Sequence, residues 1–127
     1  MKLTDLPSLL AFAAATLATA QSTGSDRVPV TDVRVLMIAA LDSPTGTAQG
    51  VLASKDAENI TRHFRATGPI LIDVSTVKRY AQAGCARLKL SFAQDGVRLP
   101  GQSAPTRNTV EFGINYCRDG QPPKSLI

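Results

Sequence analysis

The chain has 127 residues, with 14 Lys and Arg against 10 Asp and Glu, one His, two Cys and no Trp, for a formal net charge of +4. Its 43% hydrophobic content suits one modest core, which excludes a disordered chain and leaves no material for a second domain. The basic residues are scattered, with Lys78-Arg79 the one adjacent pair and no interleaved aromatics, which argues against a nucleic-acid groove and for a solvated basic face.

Met1 and Lys2 give a short positive start, and Leu6 to Leu17 is an apolar run followed by the small-x-small triplet Ala18-Thr19-Ala20. Residues 1–20 therefore read as a signal peptide cut between Ala20 and Gln21, with an uncleaved anchor as the alternative. The run is short for a membrane span, so no stable insertion is expected after cleavage. The cut carries no cysteine, as a lipoprotein would need, and Lys2 and Asp5 leave together, so the charge is unchanged. The expected compartment is the periplasm or the medium, where two cysteines are better read as a disulfide than as a metal or redox site.

Residues 21–29 are small and polar, with Gly24 and Pro29, and read as a flexible lead-in to a single domain over residues 30–120. Val30 to Leu41 is an almost continuous apolar run rich in β-branched residues, which reads as a buried strand. Asp42 to Gly46 is a turn, and Thr47 to Leu52 a short returning strand weakened by Gly50. Ser54 suits an N-cap for a helix over Lys55 to Ala66, with Asp56 and Glu58 in its first turn and Gly68-Pro69 as the stop. Ala57, Ile60 and Phe64 make its apolar stripe. His63, the single histidine, stands beside that stripe. It lacks the convergent partners that catalysis or metal binding needs, so a structural or surface role is expected.

Ile70 to Val77 alternates with period two, placing Ile70, Ile72 and Val74 on one face and Leu71, Asp73 and Ser75 on the other. Asp73 in an apolar run is a candidate acid or base, or a carboxylate that is solvated or paired with a basic neighbour. Lys78 to Gly84 connects onward, with Tyr80 placed to cover a core edge.

The stretch Gly84 to Cys117 organises the domain. If Cys85 faces Cys117 across an antiparallel pair, then Arg87 meets Asn115, Lys89 meets Gly113 and Ser91 meets Glu111 on a polar face. The apolar face then pairs Ala86 with Tyr116, Leu88 with Ile114, Leu90 with Phe112 and Phe92 with Val110. Opposed cysteines at such a position suit a disulfide. Between the strands, Asp95-Gly96 reads as a tight turn, followed either by a short third strand at Val97 to Leu99 or by a protruding loop. The loop residues Asp95, Gly96, Arg98 and Arg107 are the candidate partner-binding set, with a solvated connection as the alternative. After Cys117 the chain turns at Asp119-Gly120 and residues 121–127 form an extended tail.

The expected architecture is α+β: a small, mainly antiparallel sheet with one short amphipathic helix packed on it and one disulfide. There is no phosphate loop, metal-ligand cluster or nucleophile elbow, so no cofactor and no metal are expected. Three functional readings stand: a non-catalytic envelope module that binds a protein partner, a small hydrolase built on His63 and Asp73 with Ser75, and a secreted effector or toxin. The runs Gly68 to Val77, Leu88 to Val97 and Val110 to Pro123 resemble small exported proteins encoded with bacterial conjugative-transfer and type IV secretion genes. That resemblance covers the C-terminal half and implies a periplasmic accessory role, but it carries no site residues. The oligomeric state is left open.

Overall fold

The structure, a computed structural model, describes residues 26–127. The expected signal peptide, and residues 21–25 of the expected lead-in, lie outside the described residues.

Seven elements follow in order: β1 (Val28–Val30), α1 (Arg34–Asp42), β2 (Thr47–Leu52), α2 (Lys55–His63), β3 (Leu71–Arg79), β4 (Cys85–Val97) and β5 (Thr106–Cys117). They make a five-stranded sheet in the order β1-β2-β3-β4-β5, parallel between β1 and β2 and antiparallel elsewhere. The mainly antiparallel sheet, the helical cover and the disulfide agree with the expected class, but among the described residues there are two helices rather than one.

The second helix corrects the reading of Val30 to Leu41 as a strand. Only Val30 pairs as strand there, and the apolar run from Arg34 onward is α1. Its buried residues Leu36, Met37, Ala40 and Leu41 recur at helical spacing, so they form one stripe against the sheet. A run this apolar satisfies a strand and a helix equally well on hydrophobicity, and what decides between them is the bonding at its two ends. Asp32 accepts from the backbone N–H of Arg34 at 2.9 Å and holds the Arg34 side chain at 2.5 Å, which starts the helix. Arg79 closes the other end by donating to the carbonyl oxygens of Leu41 at 3.1 Å and Ser43 at 3.4 Å.

The core lies between α1 and one sheet face, where Ile72, Val74, Ala86, Leu88, Leu90 and Tyr116 meet Leu36, Met37, Ala40 and Leu41. Leu36 packs directly on Gly50: a Cβ there would lie 2.8 Å from Leu36 Cδ1 and 2.9 Å from the Val28 carbonyl oxygen. The residue that weakened β2 as a strand is what lets the helix approach it.

The β4–β5 register is the one the cysteines imply. Cys85 opposes Cys117, Leu88 opposes Ile114, Leu90 opposes Phe112 and Phe92 opposes Val110. The disulfide is formed, with a Cα separation of 4.0 Å, and both cysteines are buried. The expected tight turn at Asp95-Gly96 is corrected to a bulge, because β4 runs on to Val97, which pairs with Thr106. Gly96 adopts φ 70° there and leaves no room for a Cβ beside Thr67, so it serves the strand's irregularity rather than a chain reversal. Of the two alternatives beyond it, the structure has the loop: no third strand forms at Val97 to Leu99, and the connection is the loop 98–105. Tyr80 also departs from its expected place over a core edge. Its hydroxyl donates to Asn115 Oδ1 at 2.7 Å, on the polar face.

Residues 121–127 turn back on the β3–β4 connection, where the Ala81 N–H donates to the Ile127 carbonyl oxygen at 2.7 Å and the Lys124 N–H donates to Gln82 Oε1 at 2.8 Å.

Candidate functional site

Helix α2 is tied down more firmly by polar bonds than by burial. Ser54 caps it as expected, accepting from the Ala57 N–H at 3.1 Å. At its far end the Phe64 carbonyl accepts from the Arg98 N–H at 2.9 Å, and the N–H groups of Thr67 and Gly68 both reach the Asp95 carbonyl. The buried Gln94 amide completes the attachment by donating to Thr61 Oγ1 at 2.8 Å and to the Gly68 carbonyl at 3.0 Å. Among the described residues only Ala57 of α2 is itself buried.

The helix is therefore held at a fixed distance with much of its apolar stripe uncovered. Between it and the β4–β5 hairpin lies a groove of about 430 Å³ whose apolar walls include Leu52, Ile60, Phe64, Phe92, Val97 and Val110. Two strand residues continue this apolar surface to the sheet edge, since Val110 is 53% exposed and Phe112 47%. The Phe112 ring stacks on Phe92 with centroids 5.8 Å apart and planes 9° from parallel. Such a surface on a small domain is more than scattered exposure of single side chains. A larger depression of about 700 Å³ on the other side of α2 is lined by Lys55, Glu58 and Arg62 as well as apolar residues, and it lacks a converging set of groups.

The loop residues singled out in the sequence do not line this groove and do not form one cluster. Asp95 and Arg107 pair across the loop end of the hairpin at 2.9 Å, both about half exposed. Arg98 turns to a separate cleft of about 410 Å³ that it shares with His63, Arg65, Leu99 and Gln102. Gly96 lies at the bulge beneath them. Phe64 lines both this cleft and the groove, so Arg65 and Arg98 stand next to the groove at its Phe64 end.

The residues of the hydrolase reading do not converge. His63 belongs to α2, on the sheet face that carries the groove, and its ring meets Phe64 edge-on at 4.9 Å. Asp73 lies between Ile72 and Val74, whose side chains point into the core, so it projects from the opposite face with Ser75. It is held there by Arg27, Nη1 to Oδ1 at 3.0 Å. Among the described residues no group of three or more His, Cys, Asp or Glu is placed to hold a metal ion.

What the sequence reading missed was the groove itself. The alternation in β4 and β5 identified Phe92, Val110 and Phe112 as one apolar face and invited the inference that the face is covered. The available signal was quantitative: two long strands carry more apolar surface than one short helix can hide.

Comparisons with family models, curated proteins and solved structures find no match to this chain. Among the described residues no helix is long and apolar enough to cross a membrane. The disulfide fits an oxidising compartment.

Proposed function

We propose that this chain is an exported, non-catalytic binding module whose disulfide-clamped sheet presents the α2–hairpin groove to a protein partner. The observation that carries the reading is the exposed apolar run of Ile60, Val110 and Phe112 at a groove whose backbone is fixed by the Gln94, Phe64 and Asp95 hydrogen bonds. Preorganised apolar surface of this kind favours binding because little conformational freedom is lost when a partner docks. The Arg65 and Arg98 side chains beside the groove favour a partner segment with an aliphatic or aromatic anchor flanked by acidic residues.

Export rests on the N-terminal signal reading, and location in the periplasm or the medium on that together with the disulfide. A place beside conjugative-transfer or type IV secretion components rests on the sequence resemblance alone. Selection of displayed peptides on the folded protein tests the binding reading. Enriched peptides are expected to carry an apolar anchor next to Asp or Glu, and Ile60→Asp is expected to abolish the enrichment. Enrichment that survives Ile60→Asp overturns the assignment of the groove.

A further inference from the structure

We propose that the free edge of β5 pairs with the same edge of a second copy of this chain, antiparallel, in a register centred on Phe112. This goes beyond the groove reading and does not depend on it.

The two edges of the sheet are unlike. At one edge β1 has three residues, one of them Pro29, and both shortness and proline prevent further strand addition. At the other edge β5 has 12 residues and neither proline nor lysine, so a long ladder of backbone groups is left without a strand partner among the described residues.

The phase of the ladder follows from the disulfide. Cys85 and Cys117 form a narrow pair with Cα atoms 4.0 Å apart, and the next residue, Arg118, donates its N–H to the Gly84 carbonyl at 2.8 Å. Even-numbered residues of β5 therefore spend their backbone groups on β4, while Thr109, Glu111, Gly113 and Asn115 turn theirs to the free edge.

Side-chain order then selects the register. Val110 and Ile114 lie symmetrically about Phe112, so setting Phe112 against its own copy brings each Val110 opposite an Ile114 of the second copy. Even residues meet even residues, which keeps the helix-bearing faces of both copies on the same side and joins their exposed apolar surfaces. On the other face each Glu111 meets Gly113 of the second copy. That glycine is overlain by Arg87, since a Cβ there would lie 2.6 Å from Arg87 Nη2, and it is directly opposite Lys89 in β4. The carboxylate thus arrives beside two cations, twice per dimer. Glu111 has no ion pair within the single chain among the described residues.

Neighbouring registers are worse. Centring on Glu111 sets two carboxylates together, centring on Gly113 brings the two Arg87 guanidiniums together, and centring on Val110 sets Phe112 against Asn108. The pairing is isologous and closes at two copies, because the β1 edge is blunted.

The test uses the full chain with its Cys85–Cys117 link intact. Sedimentation equilibrium is expected to give the mass of a dimer, and Glu111→Arg is expected to raise the dissociation constant about tenfold or more. Phe112→Cys is expected to cross-link two chains through a single disulfide on a non-reducing gel, whereas Val110→Cys, which faces Ile114, does not. Circular dichroism on each variant separates loss of pairing from loss of fold, and Ile60→Asp in the groove leaves the mass unchanged. A monomer at high micromolar concentration overturns the proposal. So does a wild-type mass indifferent to Glu111→Arg, or cross-linking by Val110→Cys in place of Phe112→Cys.

Discussion

Arg27 and Asp73 are joined by an ion pair that ties the residue before β1 to the third strand of the sheet, with Nη1 3.0 Å from Oδ1 and a second bond from Nη1 to the Ile72 carbonyl at 3.0 Å. The arginine side chain is 8% exposed and the aspartate 40%, so the cation is the more deeply desolvated member. Of the two readings the sequence offered for Asp73, an acid or base and a carboxylate paired with a basic neighbour, the structure has the second: it neutralises a nearly buried guanidinium.

Removing that carboxylate strands the charge. Asp73→Ala is expected to lower stability by about 1 to 3 kcal/mol, less than for a fully buried pair because water reaches one partner. Replacing both residues by Arg27→Met and Asp73→Leu should recover part of the loss. Urea unfolding measures all three variants, and an unchanged midpoint for Asp73→Ala would contradict the role assigned to the pair.

The disulfide joins residues 32 apart in sequence and closes the longest hairpin in the sheet. In the chain-entropy picture such a loop contributes about 3 to 4 kcal/mol, a large part of a small domain's margin. Cys85→Ala with Cys117→Ala should lower the thermal midpoint by more than about 10 °C, followed by circular dichroism. Non-reducing mass mapping of the wild-type protein should recover the Cys85 and Cys117 peptides joined.

Gly50 is the contact point between α1 and the sheet. Gly50→Ala introduces a methyl group into space occupied by Leu36 and the Val28 carbonyl, and the expected cost is about 1 to 3 kcal/mol. Adding Leu36→Ala to Gly50→Ala relieves the side-chain part of the clash and leaves the Val28 carbonyl part, so the two effects should be non-additive in a double-mutant cycle. Strict additivity would mean that the helix does not rest on that glycine.

Asp32 gives the fold a mild acid sensitivity. The Arg34 side chain, and after it the Arg34 backbone N–H, hold its carboxyl below the ordinary aspartate range. A group whose folded value is depressed contributes stability above its unfolded value and loses it as pH falls through the folded one. The stability gap between wild type and Asp32→Asn should therefore be present at neutral pH and narrow below about pH 4. Thermal melts across that range measure it, and a gap that widens in acid would reverse the sign of the argument.

Local rules carried some of these features legibly. Ser54 caps α2 because a serine before an acidic first turn satisfies an otherwise unpaired N–H, and the β4–β5 register follows from two cysteines and a two-residue period. Other features depended on contacts with distant residues. Asp95-Gly96 has the composition of a tight turn, yet Thr67 packs at Gly96 and Val97 continues the pairing, so the same dipeptide makes a bulge. The Asp73 pair needed Arg27, which lies 46 residues away.

By itself, then, the sequence determined which residues of the hairpin oppose each other and where α2 begins, because alternation and capping act over a few residues. Only the tertiary structure decided that the run from Arg34 to Asp42 is a helix and that Val110 and Phe112 stay open beside α2. Hydrophobicity requires that apolar surface be covered, but the geometry of the covering elements determines how much of it is.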